Sequence, residues 1–160
     1  MENSLNIVKY LRSINTDKFK SRKLIKINGL EMYEGEFCLY KILYLANIFY
    51  YLLNNNYLID PMKWKKWKNG PANTKIRKYF KLVDKDYNLE DKIKFFLDAI
   101  NNFFIDASST ELYEITHCDP SYIQAEDNQE IDIAKNIKYY KKEYKEAISC
   151  FKQKFNDIVA

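Results

Sequence analysis

Glycine and proline are scarce, at 3 residues of each in a chain of 160. Sandwiches and barrels are dense in turns that draw on these two residues, so their scarcity favours a mainly α protein. So little glycine also leaves no Gly-rich loop to cradle a phosphate. Histidine occurs once, at His117, and Cys38, Cys118 and Cys150 form no CxxC pair. A zinc site takes about four Cys, His or carboxylate ligands, so neither metal nor cofactor is expected. His117 and Cys118 adjoin, but neighbours in sequence generally point apart, and nucleophile–base pairs join residues distant in sequence. The expectation is a protein that is not an enzyme. Charge of one sign is not in large excess: Lys and Arg number 26 against 22 Asp and Glu, a net charge of +4. A dedicated nucleic-acid binder carries a stronger basic bias. The opening Met1-Glu2-Asn3-Ser4 has no basic region leading into an apolar run, so no signal peptide and a cytoplasmic, reduced protein are expected.

What the chain does have is apolar and aromatic side chains: 47% hydrophobic residues, with 14 Tyr and 10 Phe. That is enough for one folded domain with a real core. The longest apolar run, residues 37–53, is interrupted only by Lys41 and Asn47. A strand is over in roughly 4–8 residues, so this run reads as a helix, and apolar groups on every side read as a helix enclosed by others. A transmembrane span needs about 20 predominantly apolar residues. This run is shorter, carries Lys41 and Asn47, and is rich in tyrosine, so a central core helix is expected and no membrane. Asn54, Asn55 and Asn56 end it.

Around this hub the predicted elements are mostly helices. Leu5, Val8 and Leu11 place one over 4–14, followed by a polar loop over 15–22. Asn28-Gly29 between short apolar runs signals a small β-hairpin, since a type I′ turn needs positive φ at both central residues. In that register Ile27 faces Leu30, Ile25 faces Met32 and Lys26 faces Glu31. The competing reading is a loop leading into an early start of the hub. Pro71 suits the first turn of a helix through Ile76, Tyr79, Phe80 and Val83. Further helices are expected over about 89–104, after Ser108 through Ile115, and as one long C-terminal helix over about 130–158.

Between hub and Pro71 lies a basic, aromatic stretch: Lys63, Trp64, Lys65, Lys66, Trp67 and Lys68. Interleaved tryptophans and lysines can stack bases and meet phosphates, or anchor a protein interface. A third reading has one tryptophan plugging the core while the lysines solvate a loop.

Several of these segments together resemble the SocA-type antitoxin family, whose domain is also called Panacea. The carriers are Leu39-Tyr40-Lys41-Ile42-Leu43-Tyr44-Leu45-Ala46, similar to the family's "LQKLLYxAQ" helix, and Trp67-Lys68-Asn69-Gly70-Pro71, similar to "WxxGP". The sequence Tyr79-Phe80-Lys81 and the later Thr116-His117 pair follow in the same order. The resemblance spans roughly residues 36–125. Cys38-Leu39-Tyr40 replaces the family's polar start, Asn47 stands at its glutamine-like position, and Tyr122 stands near its tryptophan. The resemblance implies a compact multi-helix, non-enzymatic antitoxin that binds and neutralises a co-encoded toxin, with a protease or chaperone as further partner where the toxin is delivered for degradation. It implies structural roles for Leu43, Tyr44, Trp67, Gly70, Pro71, Thr116 and His117. The partner contact is expected at Lys63, Trp64, Lys65, Lys66 and Trp67, with Trp64 on the surface and Trp67 the more structural of the two. Binding of nucleic acid by the same stretch, in a mobile-element or phage-associated module, is the alternative.

Overall fold

The computed structural model describes residues 4–59, 64–77, 79 and 87–159. Helix dominates, as the scarcity of turn residues predicts, with two small antiparallel hairpins added. The first helix, α1 (Ser4–Ile14), buries Ile7, Val8 and Leu11 on one face. Within the expected loop over 15–22 there is a further turn of helix, α2 (Thr16–Phe19). Asn15 caps it by accepting from the Lys18 N–H, and Phe19 pins it to the core at 1% exposure.

The Asn28-Gly29 hairpin forms in the predicted register. Strands β1 (Leu24–Ile27) and β2 (Leu30–Tyr33) pair Ile25 with Met32, Lys26 with Glu31 and Ile27 with Leu30. Asn28 and Gly29 both take positive φ, 51° and 82°. The hub, α3 (Glu34–Asn54), starts directly after β2, three residues ahead of the apolar run. It ends where the asparagines begin to accumulate, with Asn55 left-handed at φ 53°. By length and composition α3 is long enough to cross a membrane, but 72% of its most apolar window is buried inside the fold, as in a core helix. Both polar residues of the run are buried with it: Lys41 at 4% exposure, and Asn47, whose Oδ1 accepts from the Ile59 N–H at 2.9 Å.

A second hairpin replaces the expected loop and helix start around Pro71. Strands β3 (Trp64–Trp67) and β4 (Gly70–Asn73) pair with Lys66 opposite Pro71. Proline donates no N–H, which an outer strand tolerates. The following helix, α4 (Thr74–Arg77), is capped instead by Asn73, whose Oδ1 accepts from the N–H groups of Lys75 and Ile76. Phe80 and Val83 of the predicted helix lie outside the described residues.

Helix α5 (Asp91–Phe103) buries Ile93, Phe96, Leu97 and Ile100 as their spacing predicts. Helix α6 (Ser109–His117) opens on a reciprocal capping box between Ser108 and Glu111. A short helix, α7 (Pro120–Gln124), is capped by Asp119 with Pro120 in its first turn. The expected single C-terminal helix is broken into a 3-10 turn (Ala134–Asn136), α8 (Ile137–Glu143) and α9 (Lys145–Val159). Its start is lost because residues 128–131 are drawn into extended pairing with β3. Its middle bends at Tyr144, because Tyr140 on α8 is held by Asp119 whereas Phe151 on α9 packs with Phe96 of α5 and Phe49 of α3.

Gly35 sets the spacing between α2 and α3. A methyl group there would lie 2.5 Å from the Phe19 carbonyl oxygen and 2.7 Å from the Ser21 nitrogen, both backbone atoms. Gly35→Ala is therefore expected to destabilise the protein by about 1–3 kcal/mol through overpacking, although alanine is the better helix former. Urea unfolding of the variant against the parent measures it.

Candidate functional site

Strand β3 is paired on both sides. Besides β4, residues 128–131 run along it, with Lys66 N–H donating to Gln129 O (3.0 Å), Asn128 N–H to Lys66 O (2.8 Å) and Ile131 N–H to Trp64 O (2.9 Å). The basic, aromatic stretch is thus the middle of a small sheet rather than an exposed loop. Successive side chains of a strand point to opposite faces, and here alternation decides which tryptophan goes inside.

Trp64, expected on the surface, is fully buried at 0% exposure, edge-on to Tyr44 with ring centroids 5.3 Å apart. That corrects its assignment as an exposed anchor: a tryptophan inside the core cannot stack a base or meet a partner. Trp67 is half-buried, and its carbonyl accepts from the Tyr122 hydroxyl at 2.5 Å. Lys66 is also occupied within the fold, donating from Nζ to Ile123 O at 3.2 Å above the Tyr122 ring. Lys65 is half-buried and Lys68 exposed; Lys63 lies outside the described residues.

Among the described residues that carry the family resemblance, those on α3, β4 and α6 lie on elements in contact with one another. Leu43 and Tyr44 are buried on α3, Gly70 and Pro71 on β4, and Thr116 on α6. Tyr44 donates to Asp119 Oδ2 (2.5 Å) and Tyr140 to Asp119 Oδ1 (2.6 Å), while the Tyr122 N–H donates to Oδ2 as well (3.1 Å). Burial raises the Asp119 carboxyl above its ordinary range, opposed by these hydrogen bonds, and burial together with Asp119 raises both tyrosines. This network ties α3, α7 and α8 into one unit. His117 stacks on Tyr113, with Nδ1 2.9 Å from Tyr113 O and Nε2 3.1 Å from Lys68 O.

These contacts position a groove between the two hairpins. Asn28 at the first tip donates to Asn69 Oδ1 at the second (2.9 Å) and to the Tyr113 hydroxyl (3.2 Å). Beneath them lies a cavity of about 320 Å³, walled by Leu30, Glu31 and Met32 of β2, by Glu36, Phe37, Tyr40 and Lys41 of α3, and by the 67–72 hairpin. Lys41 is the residue that sequence reasoning passed over, treating it as an interruption of the hub. Its Nζ donates to Pro71 O at 3.2 Å and sits 4.9 Å above the Phe37 ring. Among the described residues no carboxylate stands within ion-pair distance of it. Burial pushes its amine from 10.5 down to about 7. Gly70 makes room for that amine: at φ 114° it passes so close that a methyl group would lie 2.6 Å from Lys41 Nζ. The one available signal was a lysine flanked on both sides by apolar residues that a 3.6-residue period buries.

Comparison with protein-family models, with curated proteins and with solved structures finds no match for this chain.

A folded-state amine lowered to about 7 binds fewer protons than the unfolded chain between pH 7 and its ordinary value. Stability contributed by Lys41 is therefore expected to rise with pH over that range, by about 2 kcal/mol from pH 7 to pH 9. The window closes near pH 9, where the Cys38 thiol, pushed up to about 11 by burial, begins to act in the opposite sense. Lys41→Met should flatten the rise, read by urea unfolding of both proteins at each pH.

Proposed function

We propose that the chain acts as an antitoxin of the SocA or Panacea kind, neutralising a co-encoded toxin in the cytoplasm by protein–protein contact rather than by turnover of a substrate. The observation that carries this reading is the groove between the two joined hairpins, set on a helix enclosed on nearly every side. Leu30, at its edge, is 55% exposed, and Leu24 on the same hairpin is 57% exposed. Apolar side chains left in solvent beside a concave, partly apolar surface are the usual raw material of a recognition face. Delivery of the bound toxin to a protease is a second route for the same contact.

The nucleic-acid alternative loses its main support in the burial of Trp64 and the engagement of Lys66 with Ile123. Stacking platforms and phosphate-reaching lysines both need side chains turned to solvent.

Growth rescue on co-expression with the neighbouring open reading frame tests the proposal, read beside thermal melting of each variant. Leu30→Asp should abolish rescue at an almost unchanged melting temperature. Trp64→Ala should lose rescue by unfolding, at a cost of about 3–5 kcal/mol for a deleted core aromatic. Full rescue by a folded Leu30→Asp protein, or a neighbouring gene product harmless in every host, overturns the assignment.

A further inference from the structure

The groove's chemistry is more specific than its shape. Its floor carries one ammonium group with three donors, one of them directed to Pro71 O. Phe37 lies beneath the amine, and Met32, Leu30 and Ala72 line the same cavity. A buried amine in apolar surroundings is completed by a monoanion that carries an apolar group of its own. A phosphate dianion would ask for a guanidinium fork or several cations, and among the described residues Lys68 is the one other cation lining this cavity. Glu31 and Glu36 also line the cavity and disfavour any ligand with several negative charges.

A volume of about 320 Å³ accommodates one or two residues, at the lower end of the usual range of ligand pockets. An internal aspartate or glutamate would bring its carboxylate on a short stem without an apolar branch. At a chain end the carboxylate and the last side chain leave the same Cα, so anion and apolar group enter together. The exposed Leu30 at the rim offers the emerging chain an apolar support.

We propose that the groove captures the C-terminal carboxylate of a partner polypeptide whose last residue is apolar, with the Lys41 ammonium holding the anion. This rests on the reading of the groove as a protein-recognition face and names the part of the partner that enters it. Binding then draws on the protonated form of Lys41, whose charged and titratable surroundings are Cys38 and Glu36 on α3, Glu31 on β2, Lys68 in the second hairpin turn and His117 on α6.

Calorimetric titration of the purified full chain tests it with N-acetylated tetrapeptides ending in Leu, Val or Phe, each as free acid and as C-terminal amide, and with hexanoate. At least one free-acid peptide should bind, with its amide weaker by about tenfold or more. Lys41→Met should lose the difference between acid and amide. In the wild type, affinity for the acid should fall by roughly tenfold for each pH unit above 7 as the amine loses its proton. Equal binding of acid and amide, absence of binding by every peptide, or pH-independent affinity overturns the inference. Binding of hexanoate without any peptide makes the groove a site for small free acids and overturns the choice of a chain end. No toxin is used, so a negative result here leaves the rescue experiment to decide the antitoxin reading separately.

Discussion

An ammonium group taken out of water with no carboxylate beside it costs free energy that the rest of the fold has to offset, and among the described residues α3 carries such a group at Lys41. The same helix, one turn later, carries Tyr44, which belongs to the opposite case. Tyr44 and Tyr140 donate to Asp119, and the carboxylate is buried with three donors around it. A satisfied buried charge locks neighbouring elements together, whereas an unsatisfied one is a standing preference for a ligand or for the neutral form. Both cases meet α3 within one turn, at Lys41 and at Tyr44, the donor to Asp119. Asp119 holds α7 and α8 against α3, which fixes the wall behind Trp64. Trp64 in turn anchors β3, and β3 positions the hairpin whose Pro71 carbonyl accepts from Lys41.

That chain of contacts explains why the basic, aromatic stretch behaves differently from its composition. Lysines interleaved with tryptophans suggest a solvated loop, and such a loop can present both rings. Pairing on two sides removes that freedom. With β4 on one edge and residues 128–131 on the other, alternation buries Trp64 and leaves Trp67 partly exposed, where it lines the groove. The lysines then serve the fold as much as the surface, Lys66 by donating to the Ile123 carbonyl.

What could be read in advance was whatever depends on residues close together in sequence. Leu5, Val8 and Leu11 announce α1 from Ser4 to Ile14, and Asn28-Gly29 announces a hairpin down to its register, because both signals act within one or two turns. The buried hub was legible from its unbroken apolar run. The second hairpin was not: its turn, Lys68-Asn69, has no positive-φ pair, and its main support comes from residues 128–131, over sixty positions away. The C-terminal apolar residues at steps of three and four predicted one helix, yet Ile131 was claimed by β3 and Tyr140 by Asp119, so that helix became several elements. The groove escaped notice for the same reason. Leu30, Lys41 and Gly70 each look ordinary in sequence, and only the fold brings them to one cavity.

The central physical claim is that Lys41 lies buried and uncompensated at the floor of that cavity. NMR titration of the lysine side chains, with the Lys41 signal assigned by its loss in Lys41→Met, measures this directly. A midpoint near 7 in the free protein is the expected result. A midpoint close to the ordinary 10.5 would mean that the amine reaches water or a carboxylate, and would remove the anion site together with the groove's chemical specificity.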